Sequence, residues 1–304
     1  MPRRAVILAN PLARKGAGLT IATEVERLAR DRGITARVVS GRDLADAQRL
    51  AREAVADDAV DALVAVGGDG SIRLALEAAA GSTTPVGIIP AGTGNDLART
   101  LGIPIGDLEG SVGIIADGHA RAIDLGRVRM ESGEDVLFVT VAATGFDADV
   151  TVRATTMRWP RGKARYLVAA LREVSKLQVR HFTVRVDGDT VVDGDVLFTA
   201  IGNTTSYGGG MLITPDADVH DGLLDVTIAT KTPEVGKGTL LRLLPTVFKG
   251  THVQHPLVRT ARGATVAVES DPPAFVSVDG DIVGRLPATF DTIPGAAQVL
   301  MPRG

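Results

Sequence analysis

The chain has 304 residues, 45% hydrophobic and 23% charged, enough to bury one large core or two ordinary ones, and two domains are expected. A formal net charge of −3, without any basic run interleaved with aromatics, argues against nucleic acid as a partner. Cysteine is absent, which excludes disulfides and thiolate metal sites.

Met1-Pro2-Arg3-Arg4 leads directly into a strand-like segment too short for a signal-peptide core. No later stretch reaches transmembrane length free of charge, Gly or Pro, so a cytoplasmic protein is expected, with peripheral contact at the inner face of the membrane left open. Apolar strands at 5–9, 36–39, 62–66 and 86–89 alternate with helical patterns over 20–30, 44–56, 71–80 and 107–116. That alternation spells βαβ units and a parallel sheet covered on both faces. Beyond about residue 123, strand-like runs separated by turn dipeptides take over, at 136–142, 182–186, 196–201, 224–229, 265–268 and 275–278, with helices near 163–176 and 235–248. The expected fold is α/β: a parallel-sheet nucleotide-binding domain over 1–123, then a β-rich, antiparallel, sandwich-like substrate domain over 124–289. The tail 290–304 is placed back on the first domain, and a cleft is expected between the two.

Three loops at strand ends carry the chemistry. Gly67-Gly68-Asp69-Gly70-Ser71 follows an apolar run and precedes Ile72-Arg73, with a helix starting at Ser71. Consecutive glycines let the backbone turn and aim N–H groups outward at a helix start, which is the construction of a phosphate cradle. Asp69 beside phosphate is repulsive unless a divalent cation or a hydrogen-bonding role accounts for it. A tight βα turn with a capping Asp is the plain alternative. Pro90-Ala91-Gly92-Thr93-Gly94-Asn95-Asp96 repeats the device one strand later, and Asn10-Pro11-Leu12-Ala13-Arg14-Lys15-Gly16-Ala17-Gly18 supplies glycines and cations after the first strand. Ligands of parallel sheets bind outside the carboxyl ends of the strands, so the three loops face one crevice. There is no G-x-x-x-x-G-K-[ST]; Leu97 and Ile21 stand where a dinucleotide fingerprint needs its third glycine; and the protein-kinase signature is missing.

With Gly145-Phe146-Asp147-Ala148, Gly202-Asn203 ahead of Gly208-Gly209-Gly210, Asp221-Gly222-Leu223-Leu224-Asp225 and Val278-Asp279-Gly280-Asp281 added in order, the chain resembles the diacylglycerol kinase catalytic family, which includes bacterial lipid kinases and the sphingosine and ceramide kinases. The resemblance spans nearly the whole chain. It implies ATP-dependent transfer of the γ-phosphoryl group to a lipid hydroxyl, with ATP and Mg²⁺ as cofactors and diacylglycerol as the first substrate to test. Sphingoid-base and phosphatidylglycerol-type lipids are the alternatives. It further implies nucleotide contacts at Asn10, Pro11, Arg14, Ser40, Gly67, Gly68, Asp69, Gly70, Ser71, Ile72, Arg73, Thr93 and Asn95. A structural Mg²⁺ is implied on Asp218, Asp221 and the Leu223 carbonyl, and acidic active-site roles at Asp69 and Asp124, although Asp124 could equally cap the domain junction.

The family's proton acceptor lies in a D-G-E motif, spelled Asp279-Gly280-Asp281 here. Asp is one methylene shorter than Glu, and a general base must come within about 2.6–3.2 Å of its hydroxyl, so either Asp281 or Asp279 carries the role. Val186-Asp187-Gly188-Asp189 spells the same turn with no such role expected. Arg153, Met157, Arg158, Trp159, Arg161, Lys163, Arg165, Tyr166 and Leu167 gather cations and aromatics in one segment, either a membrane-docking surface for a lipid substrate or a solvated helix start with Trp159 packed on its own domain. A homodimer is allowed for. A soluble-substrate kinase of the NAD-kinase type and a non-catalytic nucleotide-binding protein are the rival readings.

Overall fold

The computed structural model describes residues 4–157, 159, 163–175, 179–231, 243 and 245–303. It divides into two compact units, Met1–Ile123 with Gly295–Gly304, and Asp124–Pro294. Among the described residues no helix is long and apolar enough to cross a membrane.

In the first unit, β1 (Arg4–Ala9), α1 (Gly18–Asp31), β2 (Thr35–Val39), α2 (Leu44–Ala56), β3 (Ala62–Gly67), α3 (Asp69–Ala79) and β4 (Val86–Pro90) form a parallel sheet of order β4-β3-β1-β2 with its crossover helices. The apolar runs of β1, β3 and β4 are buried on both faces, which is why they show no alternation. Helix α1 turns Ala22, Val25, Leu28 and Ala29 onto this core at helical spacing. The Asp43 side chain caps α2 by accepting the Asp46 N–H at 2.8 Å, a device that contributes about 1 kcal/mol. Helices α4 (Asp96–Thr100) and α5 (Leu108–Asp117) follow, and Val299 lies parallel beside Val86 of β4. Helix α3 starts at Asp69, two residues before the expected Ser71, because the N–H groups of Ser71 and Ile72 both close on the Gly68 carbonyl, at 2.9 and 3.1 Å.

β5 (Ala120–Met130) carries the chain into the second unit. β6 (Asp135–Phe138), β7 (Val141–Gly145), α6 (Phe146–Thr156), α7 (Lys163–Ser175), β8 (Arg180–Val186), β9 (Asp189–Gly202), β10 (Leu224–Thr230), β11 (Val258–Gly263), β12 (Thr265–Asp271), β13 (Phe275–Val278), β14 (Asp281–Arg285) and the first part of β15 (Ala288–Leu300), which belongs to the first unit from Gly295 on, complete it. Pairing within this unit is antiparallel: β9 lies between β8, β7 and β10, and β13 joins β7 to β14. Phe138, Phe182 and Phe290 fill its core together with the inward Val and Ile of these strands.

The run expected as one strand at 136–142 breaks into β6 and β7, because the N–H groups of Val139 and Thr140 turn to the Asp279 carboxylate instead of a neighbouring strand. Helix α6, rich in Thr, Val and Asp, escapes a propensity reading and is held by packing of Val150 and Ala154 against Ala169 of α7. The helix expected near 235–248 falls largely on 232–242 and 244, outside the described residues.

Candidate functional site

Three loops of the first unit meet at the carboxyl ends of β1, β3 and β4. After β1, the Asn10 N–H reaches Val66 O at 3.2 Å, its Oδ1 accepts the Leu12 N–H at 2.9 Å, and its Nδ2 donates to Ser71 Oγ at 3.2 Å. Asp69, in the first turn of α3, accepts the Asn95 N–H on Oδ2 at 2.8 Å and the Asp96 N–H on Oδ1 at 2.7 Å. Burial and the adjacent charge of Asp96 push its carboxyl up, against backbone N–H groups that pull it down. Asn95 sits in the left-handed region (φ 58) and folds its side chain onto Gly92, accepting from its N–H at 2.8 Å and donating to its carbonyl at 3.0 Å.

The glycines divide into two kinds. A Cβ on Gly92 would overlap the Cα of Gly68, one on Gly67 would come 2.5 Å from Ser71 Cβ, and one on Gly94 would lie 2.6 Å from Asp69 Oδ2. Gly92 and Gly94 are therefore required by the packing of loop on loop, and Gly67 by the close approach of Ser71 at the start of α3. A Cβ on Gly70 would meet nothing within 4 Å. Arg14 (φ 45) and Thr93 are exposed on these loops, Pro11 follows Asn10, and Ser40 follows β2, the strand beside β1. The Ile72 side chain is fully buried in the core, so only its backbone is available to a ligand, and the half-buried Arg73 lies 3.4 Å from Glu77 one turn along the same helix.

In the second unit, Asp279-Gly280 is the two-residue turn of hairpin β13–β14, closed by the Val278–Asp281 pair, with φ of 49° and 88°. Asp187-Gly188 is its twin between β8 and β9, with φ of 49° and 92°. Successive left-handed residues are what such a turn demands. In each copy the first Asp clasps another segment. Asp279 accepts from Thr140 N–H at 2.8 Å, Thr140 Oγ1 at 2.6 Å and Val139 N–H at 2.9 Å, whereas Asp187 accepts from the N–H groups of Ala264 and Thr265 at 3.3 and 2.9 Å. Asp279 is thus built into its turn, while Asp281 is exposed at the head of β14.

Asp124 is buried: its N–H donates to Val219 O at 2.7 Å and its Oδ2 accepts the Gly222 N–H at 2.7 Å, so it holds the loop that carries Asp218 and Asp221. Within that loop Asp218 accepts the His220 N–H at 3.1 Å and Asp221 the Leu223 N–H at 2.9 Å, and Arg262 stands 3.6 Å from Asp221 Oδ2. Among the described residues there is no group of three or more His, Cys, Asp or Glu arranged to hold a metal.

Three polar residues of the motif strings, given no site role by their spelling, are buried or bonded at these sites. Asp96 is buried beside Asp69, a placement its position in the Gly94-Asn95-Asp96 string could have suggested. Asp147 opens α6 and accepts the Tyr207 hydroxyl; burial pushes its carboxyl up and that bond opposes the rise. Asn203 bridges two segments, its Nδ2 donating to the carbonyls of Asp124 and Val139. Trp159 is 81% exposed and does not pack on its own domain. Arg158 and Arg161 of the same segment lie outside the described residues, and Arg153 pairs with Glu173.

Residues 4–128 match the diacylglycerol kinase catalytic domain, and residues 140–301 match the YegS C-terminal NAD kinase beta sandwich-like domain. A "Diacylglycerol kinase" of Mycobacterium tuberculosis (strain CDC 1551 / Oshkosh) is 45% identical over 296 residues, covering 97% of this chain and 94% of that one. The chain belongs to the diacylglycerol kinase family. Within reach of the same family, a "Probable lipid kinase YegS-like" of Pseudomonas aeruginosa is 35% identical over 283 residues, 89% of each chain. The crystal structure of a diacylglycerol kinase from Bacillus anthracis str. Sterne superposes with a TM-score of 0.74 at 16% identity, over 99% of this chain and 97% of that chain, a likeness of fold. Membership of the diacylglycerol kinase family makes the chain a kinase by kinship, and its α/β unit followed by an antiparallel β unit agrees with the expected fold class.

Proposed function

We propose that the chain transfers the γ-phosphoryl group of ATP to a lipid hydroxyl, with diacylglycerol as acceptor and phosphatidic acid as product. The observation that carries this is the braced cradle of Asn10, Gly67, Gly68, Asp69, Gly92 and Asn95 around Gly70, whose missing side chain no protein atom requires. Backbone N–H groups at the start of α3, with Arg14 and Thr93 exposed nearby, suit a polyphosphate. In the reaction the lipid hydroxyl oxygen attacks the γ-phosphorus, the bond to the β-phosphate oxygen breaks, ADP leaves, and the hydroxyl proton passes to Asp281. Catalysis of this kind is mostly positioning and charge neutralisation. Mg²⁺ bound with the nucleotide supplies part of that neutralisation. Labelled ATP offered with diacylglycerol, sphingoid bases, phosphatidylglycerol and NAD, with and without mixed micelles, tests the reading. Label in a soluble acceptor without micelles would replace it with the NAD-kinase-type alternative, and ATP binding without turnover would leave a nucleotide-binding protein.

Gly70→Ala separates ligand from fold. Alanine is favoured over glycine inside a helix by roughly 1 kcal/mol, so the melting temperature is expected to hold or rise. The apparent KM for ATP should rise about tenfold or more, because the new methyl stands where phosphate approaches. An unchanged KM would remove Gly70 from the site.

A structural Mg²⁺ on Asp218, Asp221 and the Leu223 carbonyl fits in donor type, since all are hard oxygens on one loop. Arg262 stands 3.6 Å from Asp221 there, so an ion would share that carboxylate with a guanidinium and the stabilisation should be modest. Asp218→Ala and Asp221→Ala are expected to lower the melting temperature and blunt its rise with Mg²⁺. Identical wild-type melting in chelator and in excess Mg²⁺ would end the assignment.

The acceptor lives in a membrane, and exposed Trp159 within the cationic segment suits the headgroup level of an anionic surface. Vesicle co-sedimentation should increase with anionic lipid, fall with salt, and weaken in Trp159→Ala with ATP binding kept. Equal sedimentation of the variant would rule the segment out as the docking element.

A further inference from the structure

Asn203 is 1% exposed, directly after β9. Its Nδ2 donates to two carbonyls, Asp124 O at 2.9 Å and Val139 O at 3.0 Å, and its backbone N–H donates to Thr140 O at 2.8 Å. Two acceptors on the nitrogen settle which end of the amide is which. Its Oδ1 is buried without a hydrogen-bond partner. A buried acceptor without a partner costs on the order of 1–3 kcal/mol, which offsets part of what the two Nδ2 bonds contribute.

The partners of Asn203 are what distinguish it. Val139 and Thr140 are the residues whose N–H groups, with the Thr140 hydroxyl, clasp Asp279, and the Asp279 N–H in turn donates to Val141 O at 3.1 Å. Asp281 follows two residues later, at the head of β14. On the other side Asp124 holds Val219 and Gly222, the backbone of the loop that carries Asp218 and Asp221. One amide therefore ties the turn that presents Asp281 to the loop that presents Asp218 and Asp221. The twin turn at Asp187-Gly188 has its own clasp, on Ala264 and Thr265, which does not involve Asn203.

We infer that Asn203 is a positioning residue: through Val139 and Thr140 it sets the Asp279-Gly280-Asp281 turn, and through Asp124 it couples that turn to the 218–223 loop. The inference rests on the kinase reading for its consequence in turnover, and on this hydrogen-bond geometry alone for its effect on the turn. A base held within hydrogen-bond reach of its hydroxyl tolerates little displacement, since about 1 Å of misplacement can cost on the order of 10²-fold in rate. Nucleotide binding, assigned to the other unit, should be spared.

The twin turn makes the test internal. Hydrogen exchange is followed by mass spectrometry in full-length wild type, Asn203→Ala, Thr140→Val and Thr140→Ser, and kcat and the KM for ATP are measured with the lipid acceptor. In Asn203→Ala, protection is expected to fall at 139–141, 279–281 and 219–223 and to stay unchanged at 186–190. The kcat should fall about tenfold to a hundredfold with the KM for ATP within about twofold. Thr140→Val should loosen 279–281 and lower kcat in the same sense, and Thr140→Ser, which keeps the hydroxyl, should restore both. Equal loss of protection in the two turns, or none at 279–281, overturns the inference whether or not any lipid is phosphorylated. A loosened turn with unchanged kcat in an active enzyme overturns it as well. If wild type phosphorylates no lipid, the kinase reading fails, and the exchange pattern still decides whether Asn203 sets the turn.

Discussion

Asp69→Asn is expected to lower kcat by about 10²-fold or more while the protein still folds. Both Asp69 oxygens accept backbone N–H groups, from Asn95 and Asp96, and an amide offers one acceptor and one donor in their place. One of the two N–H groups then faces an N–H, and the loop from Gly92 to Asp96 loses its tie to α3. Removing a buried, charge-assisted bond costs roughly 1.5–3 kcal/mol, inside the 5–15 kcal/mol stability usual for a domain. The fold should survive with a lower melting temperature, whereas a cradle shifted by about 1 Å loses most of its rate. A variant within about threefold of wild type in kcat, with melting followed in parallel, would take Asp69 out of the mechanism.

The second large effect separates two carboxylates that spelling could not. Asp281→Asn should collapse kcat by about 10²-fold or more, with ATP affinity and melting temperature close to wild type, since Asp281 is exposed and the substitution keeps the side chain's shape. Asp279→Asn should lose turnover and stability together, because its three accepted bonds to Val139 and Thr140 form the clasp of the turn. Asp187→Asn, in the twin turn, should lower stability slightly and leave kcat alone, and Asp189→Asn should be silent in both. Full activity in Asp281→Asn with an inactive but stably folded Asp279→Asn would move the proton acceptor back by two residues.

Much of the architecture was legible because its signals are local. Helix α2 at Leu44–Ala56 and strand β13 at Phe275–Val278 have the bounds that residue patterning indicates. The ordered glycine strings pointed to the three loops and to the family. Asp-Gly pairs marked both hairpin turns, because a left-handed turn restricts which residues can occupy it.

Local patterns of apolar, glycine and Asp-Gly residues thus carry the class of fold, the loops of the candidate site, and the family. The partner of each polar atom in those loops comes from contacts distant in the chain. Asp69 bonds to residues 26 and 27 positions away, Asp279 to residues 139 and 140 positions away, and Asn203 to Asp124 at a separation of 79. Those bonds tied the Gly92–Asp96 loop to α3, split the expected strand at Val139 and Thr140, and gave Asp279 a structural clasp within its turn. Periodicity and propensity report what a residue does to its neighbours in sequence, whereas a buried carboxylate or amide is satisfied by whichever backbone the fold brings to it.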